Sequence, residues 1–210
     1  MYYQKTKNVD KGTYVLSKDE IEEVFKAVEL VKANPFAYEY FVNSDSSIEL
    51  VHQLAIYFSY NGEECKALLD GVKIDHQLRQ IQPFDLKTTS QTVYAFPKSF
   101  MEFGYYRQAA FYTEALKQDP VIKSFLEEGY TLLPYIFIVT EIRNYSTHPA
   151  IIYRTTPEHM ELGLNGGTVN GKYYKGINQL LEDYRWHTDN NYWEMSRELF
   201  KNKGEAVLCL

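Results

Sequence analysis

Polar side chains between residues 70 and 112 constrain the fold more than any other feature of this chain. Asp70 ends an apolar run and precedes a glycine, and a polar turn further on leads into Asp85-Leu86-Lys87. Side chains two residues apart on a β-strand leave the same face, so Asp85 and Lys87 should project together while Leu86 points into the core. One face of this strand therefore presents the candidate catalytic side chains, and the other face packs against the core.

A helix is predicted to follow these strands, from residue 99 to residue 117, where Asp119-Pro120 ends it. Gln108 and Tyr112 are four residues apart, so they share one face of this helix. The side chains between them are small or apolar, namely Ala109, Ala110 and Phe111, and they provide a packing surface. The predicted order is therefore strand, strand, helix, with polar groups on each element.

The spacing of an acid and a lysine is not distinctive by itself. Average residue frequencies predict roughly one acid-x-Lys tripeptide by chance in a chain of this length, and Glu64-Cys65-Lys66 is a second example. Asp85 differs because an upstream aspartate and a downstream polar helix accompany it. Asp70 alone is typical of a turn, the common fate of an Asp-Gly pair. Asp75 is the rival candidate, which we interpret as a solvated loop residue.

Together these motifs resemble those of the PD-(D/E)XK nuclease superfamily, and within it the RecE-like (exonuclease VIII-type) group of phage and prophage exonucleases. The matching stretches are residues 63–70, 85–89 and 103–112, with looser similarity at 135–141 and 161–163. The resemblance implies an α/β fold of the mixed α+β kind, with a restriction-endonuclease-like core in which helices flank a central mixed β-sheet. Because the similarity covers most of the chain, we expect residues 1–210 to form a single nuclease-like domain.

The resemblance also assigns roles to the polar residues. It implies that Asp70, Asp85 and the backbone carbonyl of Leu86 hold Mg²⁺ or Mn²⁺, hard cations that prefer oxygen ligands. Lys87 would orient the attacking water or stabilise the charge that develops during hydrolysis. Two helical side chains, those of Gln108 and Tyr112, would bind the substrate by positioning the scissile strand.

The upstream acids leave alternatives open. Glu49 is similar to a family glutamate that precedes the hairpin, which would make it a catalytic acid and a further metal ligand, but an exposed glutamate at a strand start is the alternative. Relatives carry a histidine or glutamate on an N-terminal helix, whereas no histidine precedes His52 here, and we expect His52 to lie on the sheet. Either the chain begins downstream of that helix or the protein has lost it.

The function implied by the family is a metal-dependent DNA exonuclease that acts on linear duplex DNA in phage-type recombination. The implied partners are DNA, a single-strand annealing protein and further copies of the chain in a homo-oligomeric ring. A catalytically incomplete nuclease-fold module that binds DNA or serves as a scaffold is the alternative. A sequence-specific endonuclease is a weaker third hypothesis.

The charge of the chain argues against a surface broadly covered with basic residues. The formal net charge is −6, and 24% of the residues are charged. This balance is compatible with a nuclease, because metal-binding carboxylates add negative charge and a local basic groove can still bind phosphates. The candidates for that groove are Lys98, Arg107, Lys117 and Lys123. The 19 tyrosines are interpreted mainly as packed rings, with base stacking as the alternative.

Several other classes of protein are not indicated. Cys65 and Cys209 are the only cysteines, too few and too far apart for a zinc or iron–sulfur site. The chain has no signal-peptide pattern, and its longest apolar run, over residues 132–139, is too short to span a bilayer. The sequence therefore predicts a cytoplasmic protein.

Hydrophobic periodicity and turn signals predict the remaining elements. Ser17 and Glu20 form a capping box for a helix over residues 17–33, and Asn61-Gly62 predicts a hairpin between strands at 49–60 and 63–70. The other predicted elements are helices at 36–42, 121–129 and 173–187, strands at 72–76, 81–87, 134–143 and 149–154, a helical region from residue 157, and a glycine- and asparagine-rich break at 163–171.

Overall fold

A long β-hairpin begins the sheet that organises the protein. The computed structural model describes residues 16–143 and 145–206. Strands β1 (Ile48–Tyr60) and β2 (Glu63–Asp75) pair antiparallel around Asn61-Gly62, and β3 (Gln80–Thr89) pairs antiparallel with β2. Asn61 and Gly62 both have positive φ angles, of 51° and 84°, as a tight hairpin turn between twisted strands requires. The hairpin predicted from the Asn-Gly pair is thus confirmed.

The sheet becomes mixed where the chain crosses from β3 to β5. β5 (Ile136–Glu141) runs parallel to β3, β6 (Ile151–Arg154) runs antiparallel to β5, and the short β4 (Thr131–Leu132) pairs with β3. The strand order is β1-β2-β3-β5-β6. Parallel neighbours need a long crossover, which helices supply here. The predicted α/β fold with a central mixed sheet flanked by helices is confirmed.

The helices precede, cross and follow this sheet. Their bounds are α1 (Lys18–Lys32), α2 (Pro35–Tyr38), α3 (Phe96–Glu102), α4 (Tyr105–Leu116), α5 (Pro120–Glu127), α6 (Pro157–Asn165), α7 (Ile177–Asn190) and α8 (Arg197–Lys201), with a 3₁₀ turn at Val93–Ala95 and a small hairpin of β7 (Gly167–Val169) and β8 (Lys172–Tyr174). The Ser17 and Glu20 capping box at the start of α1 is present. Within the described ranges, no helix combines the length and apolar character needed to cross a membrane.

Several predicted boundaries were wrong, among them the start of the helix predicted from residue 173, which begins at Ile177 after β8. The helix predicted over 99–117 is two helices, because Gly104 between them has a φ of 71°, a left-handed conformation that interrupts an α-helix. The strands predicted at 63–70 and 72–76 form one strand, since Gly71 stays paired with both neighbouring strands. The break predicted at 163–171 contains the end of α6 and most of the β7–β8 hairpin.

The sheet separates two apolar cores, and alternation along β3 decides which side chains face each core. Phe84 and Leu86 pack with Val31 of α1 in the smaller core. Their neighbours, Asp85 and Lys87, point to the opposite face. That face belongs to the larger core, which contains the α4 residues Tyr106, Ala109, Ala115 and Leu116. Asp85 and Lys87 therefore face α4.

Side chains along β2 alternate between the two faces of the sheet, and this alternation is interrupted near Asp70. Leu69 and Val72 both belong to the larger core although they are three positions apart, and Gly71 between them lies against an aromatic ring of the smaller core. β1 is distorted at the same level, where Gln53 has a φ of 54°, a conformation that costs a non-glycine residue about 1–2 kcal/mol. Asp70 thus lies at a distortion of the hairpin, next to β3.

We expect Gly163→Ala to destabilise the protein, because Gly163 is the point of closest contact between α6 and α4. A Cβ at this position would lie 2.4 Å from the Ala110 Cβ and 2.4 Å from the backbone oxygen of Tyr106, and a backbone atom in a packed helix cannot move aside cheaply. Overpacking of this kind costs roughly 1–3 kcal/mol of unfolding free energy, measurable by urea denaturation.

The matched control for this prediction is Gly167→Ala. Its Cβ would approach only a leucine methyl group, at 3.4 Å, so the unfolding free energy should change little. Equal stability of the two variants would contradict the close contact between α4 and α6.

Candidate active site

A buried carboxylate on β3 is the centre of the candidate site. Asp85 is 3% exposed, and its Oδ1 accepts a hydrogen bond of 2.5 Å from the side-chain amide of Gln108 on α4. Its Oδ2 lies 2.7 Å from the Nζ of Lys87. This contact is an ion pair, in which the ammonium balances the charge of the carboxylate. Apart from Lys87, Oδ2 has no polar side-chain partner among the described residues.

A second carboxylate comes from the neighbouring strand. Oδ2 of Asp70 accepts a hydrogen bond of 2.9 Å from the backbone N–H of Leu86. The nearest paired residues of the two strands are Gly71 and Phe84, which places Asp70 and Asp85 side by side at the end of the ladder. The structure therefore brings together the two aspartates that the sequence predicts as metal ligands.

Lys87 occupies the same strand face as Asp85, as the spacing of two residues predicts. Its side chain is 20% exposed, and its ammonium lies over two aromatic rings, 4.6 Å from the ring centre of Tyr105 and 5.9 Å from that of Phe137. A cation held against aromatic faces is attracted to their negative quadrupoles. The ammonium is thus held beside the carboxylate by both its ion pair and its aromatic surroundings.

The surroundings of Asp85 oppose its ionisation. Burial raises the pKa of Asp85, and the negative charge of Asp70 raises it further, while the ion pair with Lys87 and the hydrogen bond from Gln108 lower it; the net pKa is above the ordinary value for aspartate. Two carboxylates in one site repel each other and favour protonation of one. A bound cation would relieve both the burial cost and the repulsion.

The second polar residue of α4, Tyr112, lies one helical turn beyond Gln108. Its ring centre is 6.4 Å from that of Tyr135 on the sheet. Burial raises the pKa of Tyr112, and the charge of Asp85 contributes to the increase. Gln108 and Tyr112 are therefore both turned toward the β3 face that carries the acid.

The structure does not bring Glu49 to this group, which corrects the prediction that it supplies a further metal ligand. Glu49 pairs with Ile74 on β2, whereas His52 pairs with Gly71 beside the site. Three residues along a strand correspond to about 10 Å. The carboxylate of Glu49 instead contacts His76, at 3.2 Å.

His52 lies on the sheet, as expected, and on the face opposite the acids. Its ring packs against Phe84, with ring centres 6.0 Å apart, and stacks on Phe41. Both phenylalanines belong to the smaller core. His52 is therefore separated from Asp85 by the sheet itself.

Most of the cations predicted to bind phosphates have partners within the protein. Lys117 pairs with Glu114 at 2.6 Å, and Lys123 lies 4.0 Å from Glu127. Arg107 donates to the hydroxyl of the adjacent tyrosine at 2.6 Å and to a backbone carbonyl at 3.1 Å. Lys98 is exposed and makes no ion pair within the described ranges. Of the four candidates, Lys98 is thus the one without a side-chain partner among the described residues, whereas Arg107 is bound to neutral groups.

The donor set fits a hard divalent cation that retains water. In the described part of the chain, no group of three or more His, Cys, Asp or Glu side chains could hold a metal. The set is therefore limited to Asp70, Asp85 and the carbonyl of Leu86. Mg²⁺ is commonly bound through one or two carboxylates and keeps several waters, and the two neighbouring carboxylates of Asp70 and Asp85 suit such a cation. Cys65 is described as a free thiol, and Cys209 lies outside the described residues.

Sequence reasoning missed two aromatic residues at this site. Tyr105 lies beneath the Lys87 ammonium, and Tyr135 is fully buried beside Tyr112. Tyr105 could have been suspected from proximity, since it precedes Gln108 by one turn of helix. Tyr135 offered no such signal, because its closeness to the acids depends on the parallel register of β3 and β5.

Comparison with solved structures relates this fold to a crystal structure at 2.19 Å resolution of a protein from Eubacterium rectale named "Putative exonuclease". The TM-score is 0.52 and the sequence identity is 13%. The match covers 90% of this chain and 62% of the neighbour, so the chain spans less than two thirds of the neighbour's length. No family model matches the sequence, and no curated protein does. At this identity the likeness supports the fold.

Proposed function

We propose that the protein is a metal-dependent DNA exonuclease, which hydrolyses phosphodiester bonds of linear duplex DNA. The observation that carries the proposal is the arrangement around Asp85, which contacts Lys87 and Gln108 and adjoins Asp70. The name of the Eubacterium rectale neighbour agrees with this chemistry. The RecE-like assignment and a role in phage-type recombination belong to the same proposal and rest on the sequence resemblance.

In this proposal Asp70, Asp85 and the carbonyl of Leu86 hold Mg²⁺ or Mn²⁺. When bound, the cation supplies a water of lowered pKa and neutralises charge on the phosphate. Hydrolysis would join the oxygen of a water molecule to phosphorus, break the bond from phosphorus to the leaving nucleoside oxygen, and pass one proton of the water to that oxygen, with Lys87 orienting the water. No covalent intermediate with the protein is required.

Lys87 and Gln108 have different tasks in this mechanism. The ammonium of Lys87, 2.7 Å from the Asp85 carboxylate, orients the attacking water and stabilises the negative charge that develops on the phosphate oxygens. The amide of Gln108 holds Oδ1 of Asp85 at 2.5 Å, so it fixes the rotamer of the metal ligand. Tyr112, on the same helical face, positions the scissile strand.

The proposed contacts with DNA are local, since the net charge of −6 disfavours general attraction to a polyanion. Lys98, which is exposed and unpaired within the described ranges, is the candidate for phosphate binding. A single-strand annealing protein as partner and a homo-oligomeric ring remain proposals that rest on the resemblance.

A catalytically incomplete module that binds DNA is the alternative, and one observation favours it. Glu49 is engaged with His76, so the site has only two side-chain carboxylates within the described ranges. A protein that serves as a scaffold would need the fold but would not need to hydrolyse DNA.

Incubation with linear duplex DNA and Mg²⁺ or Mn²⁺ distinguishes these functions. Progressive release of nucleotides, abolished by EDTA, supports the exonuclease. Retarded migration of intact DNA supports the binding module and would overturn the proposal. Covalently closed circular DNA is the control substrate, because discrete cuts in it would identify an endonuclease instead.

We expect Gln108→Ala to weaken DNA cleavage about 10- to 100-fold, the usual effect of removing a side chain that orients a metal ligand. We expect the melting temperature to change little, because Gln108 is half-buried and contacts only one carboxylate. The test is to measure the melting temperature and the Mn²⁺-supported nuclease activity of the same variant.

The control for this variant is Gln118→Ala, which removes an exposed glutamine just beyond the same helix. Its activity and melting temperature should equal those of the wild type. If Gln108→Ala melts at a much lower temperature while its folded fraction keeps full specific activity, the side chain has only a packing role.

A further inference from the structure

One buried hydroxyl is set apart in the described part of the chain. The hydroxyl oxygen of Tyr135 is inaccessible and has no hydrogen-bond partner there, whereas the inaccessible Oδ2 of Asp85 is compensated by the Lys87 ammonium. Buried polar atoms in native proteins are almost always hydrogen-bonded, because an unpaired one loses its hydration without compensation. The Tyr135 hydroxyl therefore needs an explanation.

The register of the sheet places Tyr135 and Asp85 on one face. Phe137 of β5 is the neighbour of Asp85 on β3, and Tyr135 precedes Phe137 by two residues, so its side chain leaves the same face. The ring centres of Tyr135 and Phe137 are 5.3 Å apart. The ring of Phe137 in turn lies beneath the Lys87 ammonium. Tyr135 is thus part of the wall around the acids.

Tyr135 is also held rigidly. It is 0% exposed, and its backbone carbonyl accepts hydrogen bonds from both the N–H and the hydroxyl of Thr155, at 2.9 Å and 2.8 Å. Tyr112 packs against its ring from α4. Rigid support of this kind is typical of side chains that orient ligands in a site.

We propose that Tyr135 is a positioning residue for this site, whose hydroxyl donates a hydrogen bond to a water molecule bound to the cation between Asp70 and Asp85. The proposal rests on the proposed metal site and extends it to a residue that directly precedes β5. A phenol is a donor that carboxylates alone cannot replace, and it would fix the direction of the water's lone pairs. The water in turn satisfies the otherwise unpaired hydroxyl.

Tyr135→Phe tests the proposal with Mn²⁺ as the probe. We expect the affinity for Mn²⁺, measured by calorimetry, to fall about 10- to 100-fold, as when partners of metal-bound groups are removed. The melting temperature of the metal-free variant should equal or exceed that of the wild type, because the substitution removes a buried hydroxyl that has no partner among residues 16–143 and 145–206.

The matched control is Tyr153→Phe, on β6. The hydroxyl of Tyr153 donates to the backbone carbonyl of Val93 at 2.9 Å, so its loss should lower the melting temperature and leave Mn²⁺ affinity unchanged. Wild-type Mn²⁺ affinity in Tyr135→Phe would overturn the role of Tyr135 and leave the metal site standing. Absence of Mn²⁺ binding by the wild-type protein would overturn both the metal site and this inference.

Discussion

Lys87→Ala should lower the rate of DNA cleavage on the order of 100-fold or more, the usual loss when a group that stabilises transition-state charge is removed. The ammonium is 2.7 Å from Oδ2 of Asp85 and its side chain is only 20% exposed, so solvent cannot replace it easily. Rates are compared by release of nucleotides from linear duplex DNA in saturating Mn²⁺. Circular dichroism establishes that the variant remains folded.

The chain supplies a matched control in its second acid-x-Lys tripeptide. Lys66 follows Glu64 on β2 as Lys87 follows Asp85 on β3, but Lys66 is exposed. Lys66→Ala should cleave DNA at the wild-type rate. If Lys87→Ala also cleaves at that rate, the lysine has no part in the mechanism.

Asp85→Asn should abolish Mn²⁺ binding and cleavage while making the metal-free protein more stable at neutral pH. The variant loses the anionic ligand, and the neutral amide resembles the protonated acid in shape. Because the pKa of Asp85 is raised in the folded state, the folded protein binds this proton more tightly than the unfolded chain does. Stability of the wild type therefore falls as pH rises from about 4, the ordinary range of aspartate, through the raised pKa.

The direction of this pH dependence is tested by measuring the unfolding free energies of the variant and the wild type across a range of pH. Below the ordinary aspartate range, Asp85→Asn and the wild type should unfold with similar free energies in the absence of metal. With rising pH the difference should grow in favour of the variant and then level off above the raised pKa. A difference that shrinks with pH, or Mn²⁺ affinity equal to the wild type, would contradict the assignment.

Asp75→Asn is the control for this second prediction. Asp75 is the other aspartate of β2 and accepts a hydrogen bond of 2.7 Å from the backbone N–H of Leu78, which explains its place at a turn. Its replacement should leave Mn²⁺ affinity unchanged. This outcome would separate the aspartate of the turn from those of the site.

Features that depend on short sequence separation could be predicted from the sequence. The capping box of Ser17 and Glu20 and the Asn61-Gly62 turn arise from residues within one turn of each other. The shared face of Asp85 and Lys87 follows from the period of a strand. Such local rules also indicated that Asp70, Asp85 and Gln108 come from two strands and a helix.

Features that depend on register and on contacts between distant elements could not be predicted. The pairing of β1 with β2 carries Glu49 away from the acids, whereas the parallel register of β5 with β3 brings Tyr135 toward them. The contacts of Arg107 with the Lys175 carbonyl and of Lys117 with Glu114 likewise became known only in the folded chain.

The sequence by itself thus determined the type of most elements up to residue 154 and the face from which their polar groups project, because these depend on backbone geometry within a few residues. The tertiary structure decided which of those groups meet. Meeting requires a particular strand register and a particular helix packing, such as that of α4 on β3, and both are set by burial of the whole core rather than by any one motif. The buried Tyr135 hydroxyl, which has no partner in the described part of the chain, is visible only at that level.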